Sequence, residues 1–179
     1  IIEDFLMSLE TSKLNNLFVN YLGLSNDSGI VKLFKNSKSH ALASIIKGVY
    51  ESFAETDSSR EEIQIIRGYD YCLSKKISEI DYLKVDAEGS EMNIILGFGP
   101  MLKNKSIRII QFEYGINTLL GKSTLKDFYD LLGDNYLLAR ILPEGLLLVP
   151  EYSIELEDVS WANFVAIEKD FSRGFFNSL

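Results

Sequence analysis

Cysteine and histidine are almost absent from this chain: Cys72 and His40 stand alone among 179 residues. A single cysteine excludes an internal disulfide, and this pair cannot furnish a zinc site of the cysteine–histidine kind. A lone thiol suits a reducing compartment, so a cytoplasmic location is expected. No apolar run approaches the ~18 residues that a membrane-spanning helix requires. The opening residues already include Glu3 and Asp4, which is not a signal-peptide pattern. Positive charge is scarce too. Eighteen Lys and Arg against 26 Asp and Glu leave a net charge of −8, and Lys75–Lys76 is an isolated basic pair. Without a basic stripe to meet phosphates, a nucleic-acid partner is not expected, and neither is a membrane. Repeats and low-complexity linkers are lacking as well. At 46% hydrophobic and 25% charged residues, residues 1–179 read as one ordinary globular domain.

The pattern along the chain predicts its elements. Ile2, Phe5, Leu6 and Leu9 fall at helical spacing, so residues 2–13 are expected to be an amphipathic helix. Residues 17–24 are short and rich in branched and aromatic side chains, as in a strand. Residues 26–29 form a turn, and residues 30–34 are a second strand, expected to pair with the first as a hairpin. A short helix is predicted within 41–54, a strand at 63–67, and a helical turn at 70–76 with Asp70 as its N-cap. Strands are expected at 80–85 and 107–114, joined by a helix over 90–102. Gly97-Phe98-Gly99-Pro100 reads as the end of a helix and not as a cofactor loop. Thr124 and Asp127 form a capping box for a helix whose apolar face is Leu125, Phe128, Tyr129, Leu131 and Leu132, with Gly133 ending it. Residues 136–142 and 146–149 flank Pro143-Glu144-Gly145 as a hairpin, and 161–167 is a last strand. Alternating strands and helices predict an open α/β sheet of Rossmann-like type, mostly parallel, with an antiparallel strand pair at its C-terminal end.

The densest chemistry lies in Lys84-Val85-Asp86-Ala87-Glu88-Gly89-Ser90-Glu91. Asp86, Glu88 and Glu91 crowd a junction between a strand C-terminus and a helix N-terminus, where open α/β sheets bind ligands. Carboxylates there can hold ribose or amino groups, bind a cation, or accept a proton from a hydroxyl. The plainer reading is that Asp86 or Glu88 caps the helix, favoured by its dipole. Strand alternation places Gln111 and Glu113 on one face, opposite Phe112 and Tyr114. Glu113 then ends the next buried strand, where it needs a partner or a ligand; Lys84 is its candidate structural partner. Tyr50 and Phe53 are candidates for touching a substrate. His40 lacks a partner pattern, Cys72 reads as a small core residue, and Trp161 and the Phe171–Phe176 tail read as core or a clipped end.

These residues resemble a family. Lys84 to Glu91, KVDAEGSE, is similar to the K-I-D-V-E-G-x-E signature of FkbM-type methyltransferases, class I enzymes that use S-adenosylmethionine. Tyr21 to Gly29 resembles the family's strand ending in an L-S-D turn, and Ser25 belongs to it. Ile66-Arg67-Gly68-Tyr69-Asp70 stands where the family has T-L-D, with Asp70 kept. Leu96-Gly97, Ile110 to Glu113 and Trp161 to Ala166 match its later blocks, with Phe98 where a small residue is usual. The resemblance spans about residues 1–169. It implies Ser25, Asp70 and Asp86 as cofactor-binding residues, Asp86, Glu88 and Glu113 as catalytic residues, and Glu91 and Glu113 as substrate-binding residues, with no metal ligands. It implies S-adenosylmethionine as cofactor and O-methylation of a hydroxyl on a sugar or other small metabolite.

The family's glycine-rich loop after its first strand has no counterpart here; the first residues look like the helix after its second strand. The N-terminal strands and that loop are therefore expected to be missing. This departure raises a second expectation: a truncated or degenerate methyltransferase-fold domain acting as a non-catalytic interaction module. A metal-dependent hydrolase using the same carboxylates ranks last, for want of histidine ligands and of any hydrolase motif.

Overall fold

The computed structural model describes residues 16–36, 43–53 and 58–176. The expected helix over 2–13 and His40 lie outside them. The strands form a three-stranded sheet and a five-stranded sheet.

The three-stranded sheet has β1 (Gly23–Ser25), β2 (Gly29–Asn36) and β3 (Ser58–Arg67) in the order β1-β3-β2. The expected hairpin of the first two strands is corrected. β1 pairs with β3 in parallel, and β2 pairs with the other edge of β3 in antiparallel. Both Gly23 and Gly29 stand opposite Ile65, so the connection passes over the end of β3. Ser28 marks that crossing: its hydroxyl accepts the Arg67 N–H at 3.0 Å. The first strand is also shorter than residues 17–24. Phe18 and Tyr21 are exposed, and strand propensity without a partner strand does not hold a backbone extended.

Helix α1 (Lys47–Phe53) lies inside the predicted 41–54. Helix α2 (Gly68–Lys75) follows β3 directly. Its N-cap is Arg67, not Asp70; Asp70 sits in the first turn and accepts from Arg67 Nη2 at 2.8 Å.

β4 (Ile80–Val85) and β5 (Ile107–Tyr114) have the expected bounds and pair in parallel, Tyr82 opposite Ile109 and Val85 opposite Phe112. The predicted crossover helix is instead two, α3 (Glu91–Leu96) and α4 (Gly99–Lys103). Pro100, near the start of α4, cannot donate to the preceding turn and clashes with it, so the helix breaks and restarts.

After β5 come α5 (Ile116–Leu120) and α6 (Leu125–Leu132). The capping box is present: Thr124 Oγ1 accepts the Asp127 N–H while Asp127 accepts the Thr124 N–H at 2.7 Å. β6 (Tyr136–Leu142) and β7 (Gly145–Leu148) make the expected hairpin. A 3₁₀ turn (Ile154–Leu156) leads to β8 (Ala162–Glu168), and α7 (Lys169–Phe176) follows.

The five-stranded sheet runs β4-β5-β8-β6-β7. A single mostly parallel sheet is thus corrected to a mixed α/β fold whose larger sheet is mostly antiparallel. Only the β4–β5 pairing is parallel in it, because β8 returns through the 149–161 connection and inserts antiparallel between β5 and β6. One face carries the core. Val85, Ile110, Phe112, Tyr114 and Phe164 pack with Ile95 and Leu102 of the crossover helices and Phe128 and Leu132 of α6. Phe112 stacks on Phe128 with centroids 4.3 Å apart. Each such side chain contributes about 1.5–3 kcal/mol by leaving water.

Candidate active site

The chain leaves β4 at Val85 and must turn sharply into α3. It does so through Glu88 at φ +48° and Gly89 at φ +97°. Gly89 requires that freedom, and it also requires its missing side chain: a Cβ there would sit 2.5 Å from the Asn117 carbonyl oxygen. Glu88 holds the left-handed conformation despite its Cβ, a strained state that persists only where neighbours enforce it. Two neighbours do. Ser44 Oγ donates to the Glu88 carbonyl at 2.8 Å, and Asn117 Nδ2 donates to Glu88 Oε2 at 2.5 Å.

Glu91 closes the turn from within. Its side chain is buried, and Oε1 accepts the N–H groups of Ala87 at 2.9 Å and Gly89 at 3.2 Å. Burial raises its carboxyl above the usual range, the backbone N–H groups pull the other way, and the Asp86 charge adds to the rise. Burial also raises Glu88, against the pull of Asn117, with Asp86 and Glu91 pushing further.

Asp86 is exposed and accepts from Lys84 Nζ at 2.7 Å. Lys84 therefore partners Asp86, not Glu113. Glu113 ends the parallel neighbour β5, partly buried. Burial, then the charges of Asp86, Glu88 and Glu91, push it up to about 7, against a smaller opposing pull from Lys84. The structure thus brings Asp86, Glu88, Glu91 and Glu113 within electrostatic reach of one another. The capping alternative is corrected, because Ser90 is the N-cap of α3 and neither Asp86 nor Glu88 caps it.

Beside Glu113 on the same face, Gln111 accepts a hydrogen bond from Tyr82 and donates to Asn163 Oδ1 at 2.8 Å. These are polar groups next to a partly buried acid, on the sheet face opposite the Phe112 core.

Ser25 and Asp70 stand apart from this cluster. Ser25 is buried at the end of β1, its hydroxyl toward Asn26 Oδ1 at 3.3 Å and its carbonyl against Gly97, beyond the far end of α3. Six helical residues separate the two ends of α3, about 9 Å at 1.5 Å per residue. Asp70 lines an open cleft of about 670 Å³ with Ser28, Gly29, Ile30 and residues 62–66. Tyr50 is buried, stacked on Phe34 at 6.0 Å, and its hydroxyl has no partner among the described residues. Cys72 is buried, as expected, and burial pushes its thiol up. Trp161 is about half exposed, so the reading of it as core is corrected; Leu17, Phe18 and the β7 leucines show that this chain leaves other large apolar groups in solvent as well.

Asn117, Ser44 and Gly121 were not legible in the sequence. Gly121 has no room for a Cβ, which would overlap the Gly89 carbonyl. A buried Asn after a strand is visible, but nothing in its spacing points 29 residues back to Glu88.

The model of the FkbM methyltransferase domain matches residues 3–134. The chain belongs to the FkbM methyltransferase family. The matched span covers the acid turn, β5 and α6; the β6–β7 hairpin and β8 lie beyond it. No match arises among curated proteins or among solved structures. In this FkbM member, no group of three or more His, Cys, Asp or Glu among the described residues could hold a metal ion. No described helix is long and apolar enough to cross a membrane.

Proposed function

We propose that this protein transfers a methyl group from S-adenosylmethionine to a hydroxyl oxygen on a sugar or other small metabolite, with Glu113 as the base. The observation that carries this reading is the Glu113 carboxyl, pushed up to about 7 among acids at the ends of two parallel strands. A base whose affinity for protons matches neutral pH is the most effective at that pH. The parallel β4–α3–α4–β5 crossover supports the class I, Rossmann-like reading of this half of the fold, because that is where such sheets place ligands.

The residues present fit the positively charged portion of S-adenosylmethionine: carboxylates stabilise a sulfonium and an ammonium through space. Asp86 and Ser25, at the carboxyl ends of β4 and β1, and Asp70 beside the cleft are the residues proposed to contact it. When bound, the cofactor supplies an electrophilic methyl group. The protein's own contribution is positional. Glu113 accepts the proton of the attacking hydroxyl, Asp86 and Glu88 orient the acceptor, and partial burial keeps the acids in a medium where charge is felt. Glu91 is turned onto the backbone of its own turn, so its role in this reading is to shape the site, beside Glu113 as the acid facing substrate.

The test uses the full chain with methyl-labelled S-adenosylmethionine and a panel of monosaccharides and polyols. Label should appear on a hydroxyl oxygen, and Glu113→Gln should abolish it while the fold is retained. Transfer unaffected by Glu113→Gln would overturn the assignment of the base.

A second reading, a non-catalytic interaction module of methyltransferase fold, is favoured by one observation. Gly89, Gly97 and Gly121 pack against the chain's own backbone and so offer no cradle to a ligand. Calorimetry with S-adenosylmethionine separates the two readings, since the module would give no heat of binding.

A further inference from the structure

We propose that Asn117 is a positioning residue that holds the Glu88 carboxylate in place at the acid turn, an inference that rests on the reading of that turn as the reaction site. Asn117 is 2% exposed, and its side chain points at Glu88. The amide orientation follows from its neighbour: Nδ2 must face the carboxylate, because Oδ1 there would set two acceptors against each other. Oδ1 is buried and has no partner among the described residues, so the hydrogen bond that these residues show the Asn117 amide making is the one to Glu88.

The backbone of Asn117 is fixed independently. Its carbonyl accepts the Gly121 N–H at 2.9 Å and lies against Gly89. The side chain thus projects from a short helix already docked on the turn. Ser44 divides the work with it. The Ser44 hydroxyl binds the Glu88 carbonyl and so holds the backbone; Asn117 alone of the two touches the charge. A carboxamide also suits this place chemically. Among Asp86, Glu88, Glu91 and Glu113, a Lys or Arg would cancel the negative charge, and another acid would share a proton with Glu88. Asn supplies a donor and leaves the charge unchanged.

This division sets the test. The full chain is labelled with ¹³C at glutamate carboxyls, Glu88 is assigned through Glu88→Gln, and its titration is followed by NMR. Asn117→Ala should move the Glu88 midpoint upward by about one pH unit, the size expected for losing one hydrogen bond to a charged group. Asn117→Asp, which keeps the shape, should move it at least as far. Ser44→Ala should lower the melting temperature and leave the midpoint in place. An unchanged midpoint in both Asn117 variants would overturn the proposal and reduce Asn117 to packing. Should Asn117→Ala fail to fold, Asn117→Asp decides, together with the wild-type Asn117 amide protons, which should shift through the Glu88 titration; amide signals indifferent to it would also overturn the proposal. None of these measurements needs a methyl donor or acceptor. Absence of methyl transfer would therefore count against the functional reading, and an unmoved Glu88 against Asn117.

Discussion

The α-carbon of Gly97 lies against the carbonyl oxygen of Ser25, so closely that a Cβ on Gly97 would overlap it. Gly97 also accepts the Tyr69 N–H at 2.9 Å. One residue at the end of α3 therefore ties the small sheet, through β1, and helix α2 to the crossover of the large sheet. Gly97→Ala should destabilise the protein by about 3 kcal/mol or more, because backbone on both sides cannot yield as a side chain can. Urea unfolding measures it; a loss below about 0.5 kcal/mol would mean that β1 moves freely relative to α3.

Glu113 makes stability depend on pH with a defined sign. Its folded carboxyl is raised to about 7, above the ~4.3 of an unfolded chain. An acid raised on folding contributes stability that is full below the unfolded value and is lost as pH rises through the folded one. Glu113→Gln should therefore melt like the wild type near pH 4 and higher than it at pH 8. Solvent screening of a partly exposed group limits the gain to about 2–4 °C, the effect of roughly 1 kcal/mol in a chain of this size. Equal melting temperatures at both pH values would show that folding does not raise the Glu113 carboxyl.

Asp86→Asn separates a surface ion pair from a working acid. Asp86 and Lys84 are each about half exposed, and such a pair is worth about 0–1 kcal/mol. Melting should hardly change. Methyl transfer should fall by ~10²-fold or more, the effect of misplacing the acceptor and cofactor that Asp86 is proposed to orient and contact. Normal turnover with normal melting would move the site to Glu88 and Glu113.

Glu157 is a structural acid of a different kind. Its carboxylate accepts from the hydroxyls of Tyr114 and Tyr152 and from the N–H groups of Leu125, at 3.1 Å, and Lys126, at 3.0 Å. Burial alone would raise it, but these donors outweigh burial and hold it below the usual carboxylate range. Its contribution is present at neutral pH and is lost as pH falls through the folded value. Glu157→Ala should cost about 2–4 kcal/mol at pH 7, since it strips partners from a buried hydroxyl and from the start of α6. The cost should shrink on acidification, and denaturant melts at pH 7 and pH 3 check both.

The sequence by itself determined what short-range patterning encodes. β4, β5, the capped helix α6 and the β6–β7 hairpin follow from apolar runs, a Thr–Asp box and a Pro-Glu-Gly turn, because their backbone bonds and caps are satisfied within a few residues or by a neighbouring apolar strand. The acid turn was also legible, as a motif. Only the tertiary structure decided what required distant partners. β1 and β2 do not pair with each other but flank β3, a strand more than 20 residues further along the chain, and the Ser28 hydroxyl takes the Arg67 N–H at the crossing. Lys84 went to Asp86, leaving Glu113 raised by burial and then by the charges of the neighbouring acids. Glu91, read as a substrate contact from the motif, folded inward onto the N–H groups of Ala87 and Gly89. Asn117 and Ser44, 29 and 44 residues from Glu88, hold it in a conformation that its own side chain disfavours. Such strain has no local signature, since the contacts that enforce it exist only once separate elements have packed.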